Sequence, residues 1–379
     1  MVRGVISRRG LLGAGLSGLP LLRSAGASAA GLQVTDMLKR TVTLKARPER
    51  IVLLDARDAV GMALIEPAPM ARVVGWAGPE GLDSDSLRAA LTASAGRDIP
   101  VIGGLAPGSI SAEAIIALKP DLVVTTRYVD GTNGDLSTQL AAFGIPVLFS
   151  DSSSSSAGRG AGDDWPALLR MWGLLLGQQA RAAALHDFLE ARFAQVAACV
   201  RGVSPRKVYL ELQSTYDDCC WAAGRAVWGE LLTLAGGRSL DAVTAPWFQK
   251  LHVEQLVAEQ PDLYIASGGA FARGTRPAIA PGLPATEARS GLRPLVARPG
   301  MDLLAAVKEG RVCGIWTGLV VIRLLNLLFV ERVATWLHPE ACRAIHPEQT
   351  LRELNERFLA IPLQMPLWAR LDAPATDDD

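Results

Sequence analysis

From residue 51 onward, short apolar runs alternate with stretches whose apolar side chains recur at helical spacing. The runs at 51–54, 72–76, 99–103, 121–125 and 146–150 read as buried strands, with helices at 111–118 and 136–143 between them. Ahead of them, 34–44 reads as a short hairpin, and Pro48-Glu49-Arg50 leads into the first buried strand. Such strand–helix alternation predicts an α/β lobe with a mostly parallel sheet, here residues 30–150.

Residues 151–164 are rich in Ser and Gly, with five serines in a row, and predict a solvated loop. The next stretch, 165–200, keeps Leu168, Leu169, Trp172, Leu175, Leu176, Leu185, Phe188, Leu189, Phe193 and Val196 at helical spacing. Asp164 and Pro166 supply its start signal. At 1.5 Å per residue, roughly 36 residues in one helix reach about 54 Å, more than one small lobe needs. This predicts a connector, with loop and long helix filling 151–203.

The alternation then resumes: strands at 207–212, 262–266 and 311–316, helices at 228–235, 252–259 and 302–308, and a terminal helix at 350–359. Residues 204–365 thus form a second lobe, followed by an acidic tail at 366–379. The expected fold class is α/β: two Rossmann-like lobes with mainly parallel sheets, joined by one long interlobe helix. The apolar stretch 312–330 is interrupted by Arg323 and Asn326, so a strand followed by a buried helix at 319–337 explains it better than a membrane span.

The first 29 residues read as an export signal. Arg3, Arg8 and Arg9 form a positive region, Ser7-Arg8-Arg9-Gly10-Leu11-Leu12 fits a twin-arginine pattern, and Ala27-Ser28-Ala29 offers a cleavage site. No cysteine lies there, which points to a soluble periplasmic protein rather than a lipoprotein. Of 379 residues, 38 are Lys or Arg and 38 Asp or Glu, so net charge argues for neither nucleic acid nor an anionic membrane as partner. The five cysteines, Cys199, Cys219, Cys220, Cys313 and Cys342, are too few for a disulfide scaffold, although one or two bridges are possible. The adjacent Cys219 and Cys220 are not expected to bridge to each other.

Two segments align without gaps. Residues 112–122 read Ala-Glu-Ala-Ile-Ile-Ala-Leu-Lys-Pro-Asp-Leu, and 253–263 read Val-Glu-Gln-Leu-Val-Ala-Glu-Gln-Pro-Asp-Leu. In each, a glutamate in the first helical turn stands seven residues before a Pro-Asp-Leu that stops the helix and starts a strand. A single glutamate there merely complements the helix dipole, worth about 0.3–1 kcal/mol. Its recurrence on both sides of the connector suggests that Glu113 and Glu254 meet two arginine pockets on a pseudo-symmetric partner.

These blocks, with Ile102-Gly103-Gly104, residues 231–237, Ala306-Val307-Lys308-Glu309-Gly310-Arg311-Val312 and Trp336-Leu337-His338-Pro339-Glu340, resemble the periplasmic solute-binding proteins of ABC importers for ferric siderophores, haem and cobalamin. The resemblance covers nearly the whole exported chain. It implies a monomer without cofactor that carries a ferric siderophore, haem or cobalamin-like ligand to an inner-membrane ABC permease. It also implies that Glu113 and Glu254 engage permease arginines and that the ligand sits between the lobes, on loops after the strands. Candidate ligand-binding residues are Arg57, Trp76, Arg127 and Tyr128 from the first lobe, and Tyr216, Trp247, Phe271, Arg273 and Trp316 from the second. Their aromatic faces suit a large planar ligand and their arginines its carboxylates. Trp165, Trp172 and Trp228 lie on apolar helix faces and read as core. After the first strand this chain has Asp55-Ala56-Arg57-Asp58 instead of the small polar loop usual in the group, so no ligand chemistry carries over there.

Other functions find less support. The four histidines, His186, His252, His338 and His346, all fall outside the first lobe, which disfavours capture of a bare divalent metal. Direct iron coordination by Tyr128 and Tyr216 stays open. No GxSxG, GxxxxGK[ST], HExxH or Rossmann glycine fingerprint occurs. An exported hydrolase would have to rest on the Glu211, Asp217 and Asp218 carboxylates, and a periplasmic sensor or structural protein would share every feature of the transport reading.

Overall fold

Apolar runs without polar interruption are what a parallel sheet covered on both faces requires, and they fold accordingly. The computed structural model describes residues 31–106, 108–131, 134–151, 165–212, 214, 219–269 and 277–371. The twin-arginine segment, most of the Ser/Gly loop and the end of the acidic tail lie outside these residues.

A hairpin of β1 (Leu32–Thr35) and β2 (Thr41–Leu44) precedes the first lobe. That lobe is a parallel sheet of β3 (Ile51–Leu53), β4 (Val73–Trp76), β5 (Leu122–Thr125) and β6 (Val147–Phe149) in the order β4-β3-β5-β6. Every strand residue is buried. Successive side chains enter opposite layers, Ile51 and Leu53 on one face and Val52 and Leu54 on the other. Of the strand expected at 99–103, only an isolated bridge between Val101 and Trp76 forms.

The second sheet comprises β7 (Arg206–Glu211), β8 (Trp221–Ala223), β9 (Gly237–Ser239), β10 (Phe248–Lys250), β11 (Leu263–Gly268), β12 (Val312–Trp316) and β13 (Trp368–Arg370). Parallel β9, β7, β11 and β12 form its centre, flanked by antiparallel β8, β10 and β13. The two sheets share no strand; one apolar cluster runs from one face of the first sheet into the second lobe, and a separate cluster covers the other face of the first sheet. Beyond β12 the apolar stretch turns through short helical segments into a buried helix, Asn326–Leu337. No helix among the described residues is long and apolar enough to cross a membrane.

The expected long helical connector bridges the lobes, interrupted once, so that it runs as two successive helices, Trp165–Leu176 and Gln179–Cys199. Gly177 between them has φ +73°, a left-handed conformation that costs glycine nothing. The Gln178 amide then donates to the Gly173 carbonyl at 2.8 Å, the helix-terminating pattern that follows a left-handed residue. The second connector helix is tied to the second lobe by a Cys199–Cys342 disulfide and by Arg192, which bonds Glu353 at 2.6 Å. The two cysteines just before β8 correct an expectation: Cys219 and Cys220 pair with each other across a cis peptide.

The sequence repeat extends to backbone detail. Lys119 and Gln260, each just before the Pro-Asp-Leu, both take positive φ, 49° and 45°. Each aspartate then accepts backbone amides from the segment that opens its lobe. Asp121 takes those of Glu49 and Arg50 at 2.8 and 2.9 Å, and Asp262 takes that of Lys207 at 2.8 Å. The Pro-Asp pair is therefore a device for anchoring each lobe's first strand.

Candidate functional site

In each lobe the repeated helix runs antiparallel to the strand it feeds, so its N-terminus lies at the carboxyl edge of the sheet, where open α/β sheets bind ligands. Glu113 is the second residue of helix Ala112–Ala117, whose Ser111 cap accepts the Ala114 amide at 3.1 Å. Glu254 is the second residue of helix Val253–Glu259, where the Gln255 side chain accepts the His252 amide at 2.9 Å. Both glutamates are exposed. Neither carboxylate bonds to any described residue, and each borders a cavity formed within its own lobe. Glu113 stands beside one of about 350 Å³ with Asp130 and Asp135, and Glu254 beside one of about 790 Å³ with Lys250, His252 and Arg298.

The loop after β3 carries a self-contained ion pair. Asp55 accepts the Arg57 backbone amide at 3.0 Å and its guanidinium at 2.8 and 2.7 Å. Burial alone would lower the Arg57 pKa, but Asp55, with Asp58 and Tyr128, outweighs it and raises the value. Arg57 is thus buried and its charge is met inside the protein. Tyr128 lies within electrostatic reach of it and is 44% exposed. Arg127, also exposed, is held at the backbone by Asp151, which accepts its amide at 3.0 Å. Thr126 caps this short turn of helix by accepting the Val129 amide at 3.3 Å.

The remaining candidates fall into three groups. Trp76 and Trp316 are core residues here, 2% and 0% exposed, and the Trp316 indole donates to the Asp83 carbonyl at 3.2 Å. Trp247 is half-buried beside β10, its carbonyl accepting the Gly224 amide at 2.7 Å. Tyr216, Phe271 and Arg273 lie outside the described residues.

At the carboxyl end of β7 the structure reveals a cluster that sequence reasoning missed. Arg298 donates to both Glu211 oxygens at 2.8 and 2.7 Å, to the Ser214 carbonyl at 2.9 Å and to the Tyr264 hydroxyl at 3.0 Å. The Tyr264 hydroxyl also bonds Glu211. Burial, reinforced by the Glu211 charge, raises the Tyr264 pKa well above the usual phenol value. Burial works to lower that of Arg298, and its bonds to Glu211 reverse the effect. A carboxylate so fully engaged by a guanidinium and a phenol is a poor general base. Only Glu211 of this cluster drew notice in the sequence, because Arg298 stands 87 residues away with no local signal. For metals, the sole grouping of suitable ligands among the described residues is His186, Asp187 and Glu190, on one face of the second connector helix with both carboxylates exposed.

Three comparisons place this architecture. The family described as periplasmic binding protein matches residues 63–315, well over half of the chain. A TroA-like periplasmic binding protein, FepB, from Veillonella parvula superposes with a TM-score of 0.74 at 23% identity, covering 90% of this chain and 100% of that one. An ABC-type Fe3+-hydroxamate transport system protein from Saccharomonospora viridis is 25% identical, with a TM-score of 0.56 over 81% of this chain and 99% of its own. A vitamin B12-binding protein from Photorhabdus laumondii subsp. laumondii is 30% identical over 161 residues, 42% of this chain, and the match spans about half of that relative, 54%. Two separate α/β lobes, a helical connector and a family match running across both lobes have one reading: the chain belongs to the periplasmic binding protein family.

Proposed function

We propose that the solute is a large metal chelate of the ferric-siderophore, haem or corrinoid type, held between the lobes and released to a permease that Glu113 and Glu254 engage. The observation that carries the docking role is the matched state of these two glutamates. Both are exposed at the second position of equivalent helices, neither is bonded within the described chain, and each stands at the carboxyl edge of its sheet. A charge-assisted pair with a permease arginine would give them the partner they lack. The ligand class is supported by the vitamin B12-binding and Fe3+-hydroxamate relatives and by exposed Arg127 and Tyr128 at the mouth of the first lobe. In this reading Tyr216, Trp247, Phe271 and Arg273 face the ligand from the second lobe. Arg57, Trp76 and Trp316 support the cleft from behind, because all three are buried and Arg57 and Trp316 are already bonded inside the protein. Export uses the twin-arginine signal in the first 29 residues.

Titration of the purified protein with cyanocobalamin, haemin and a ferric hydroxamate, followed by quenching of its tryptophan fluorescence, tests the ligand class. Saturable binding of one of the three at micromolar or tighter affinity is expected, weakened at least tenfold by Tyr128→Ala. Absence of saturable binding to all three would remove this ligand class.

A further inference from the structure

The second connector helix carries His186, Asp187 and Glu190 within little more than one turn, and residues four apart on a helix share a face. His186 Nδ1 lies 3.2 Å from an Asp187 oxygen and 3.7 Å from a Glu190 oxygen, and the three donor atoms all fall within 4.8 Å of one another. In a tetrahedral or octahedral set with metal–ligand bonds of about 2.0–2.2 Å, neighbouring donors stand about 2.8–3.6 Å apart. Both distances from the imidazole thus match coordination with almost no adjustment. The carboxylate-to-carboxylate distance closes by rotation of side chains that are 81% and 69% exposed.

A proton on the imidazole explains the arrangement less fully. It gives Nδ1 one N–H, which serves Asp187 and leaves Glu190 beyond hydrogen-bonding distance. Among the described residues, no lysine or arginine pairs with either carboxylate. One divalent cation in the same place meets all three donors, and two carboxylates with a neutral imidazole balance its charge. The imidazole is also held in position beforehand. The turn at Gly177 brings the first connector helix back beside the second, where Gly173 faces Ala182, and sets the Trp165 ring 5.1 Å from that of His186. Trp165 is itself buried and stacks on Phe193 at 6.0 Å.

We infer that His186, Asp187 and Glu190 bind one divalent transition-metal ion of the zinc or copper kind on the solvent-facing side of the connector, with water completing its coordination. The nitrogen donor favours such ions over Mg2+ and Ca2+, which prefer oxygen ligands. None of the three residues belongs to the proposed solute cleft or to the Glu113 and Glu254 corners, so the inference does not depend on which solute is carried.

Calorimetric titration of the full, untagged chain with Zn2+ after chelator treatment tests it. Quenching of tryptophan fluorescence by Cu2+ gives a second readout, because an ion on Nδ1 stands close to the Trp165 ring. Wild type is expected to bind Zn2+ saturably and to show a saturable component of Cu2+ quenching. Loss of a partner one shell beyond the ligands costs about 10–100-fold in metal affinity, so Glu190→Gln, which keeps the His186–Trp165 contact, should weaken Zn2+ binding by about tenfold or more. His186→Ala should abolish both signals; should that variant lose its fold by circular dichroism, Glu190→Gln decides. No saturable Zn2+ binding by wild type, or equal affinity in wild type and Glu190→Gln, would overturn the site.

Discussion

Glu331 is fully buried on helix Asn326–Leu337, where the second connector helix and helix Pro347–Arg357 come together. Neither of its oxygens has a hydrogen bond of ordinary geometry. Burial raises its pKa from the usual carboxylate value up to about 7; Thr350, Arg192 and Arg332 oppose the rise too weakly to cancel it, and Glu353 adds to it. In the unfolded chain the same group ionises near about 4.3. The folded state therefore prefers the proton that the unfolded state gives up first, so the contribution to stability is complete below about pH 4.5. It is lost as pH rises toward and through about 7. The gap between the two values corresponds to about 3 kcal/mol at its full extent. Glu331→Gln keeps the shape and removes the charge. In urea denaturation at about pH 8.5 the variant should be more stable than wild type by about 3 kcal/mol, and at about pH 5 the advantage should shrink to about 1 kcal/mol. A difference independent of pH, or a variant less stable at the higher pH, would refute the assignment of a neutral buried carboxyl.

Three further outcomes follow from the fold. Cys342→Ser opens a disulfide that closes a separation of 143 residues, and should cost about 3–5 kcal/mol in urea denaturation under non-reducing conditions; reductant should bring wild type to the same level. Glu211→Gln leaves the Arg298 guanidinium without its carboxylate, and a loss of about 3 kcal/mol is expected from the same measurement, with Arg298→Met added to the variant recovering part of it. Asp121→Ala and Asp262→Ala each strip an acceptor from backbone amides and should cost about 1–2 kcal/mol apiece, additively because they sit in different lobes; strong coupling between them would contradict the separateness of the two anchors.

Much of the architecture is legible in the chain because it is local and periodic. Apolar runs such as Ile51–Leu53 in β3 and Leu122–Thr125 in β5 announce buried strands, and the Pro-Asp-Leu repeat announces the lobe duplication. The anchoring role of Asp121 and Asp262 was hidden, since the amides they accept precede them by scores of residues. The connector was legible as helix and only its interruption was hidden, because its apolar spacing runs through Gly177 and a glycine inside a helical pattern carries only a weak stop signal. Aromatic residues at strand ends are ambiguous for a different reason. Trp76 and Trp316 sit where ligand loops begin, yet nothing in the sequence distinguishes a ring turned into the core from one turned into the cleft. Polar contacts between remote segments, Ser84 with Pro281 or Glu211 with Arg298, leave no periodicity at all. The burial of Glu331 leaves no local signal either, because only the packing of three helices around it makes it a titrating group.

The paired-glutamate docking of a cleft-bound solute is tested most directly by one side-by-side comparison of the Glu113→Ala/Glu254→Ala variant with wild type. Affinity for whichever of cyanocobalamin, haemin or ferric hydroxamate saturates the wild type is measured together with cellular uptake of that compound. Unchanged affinity with uptake abolished is the predicted result; weakened binding, or uptake at the wild-type rate, would contradict it.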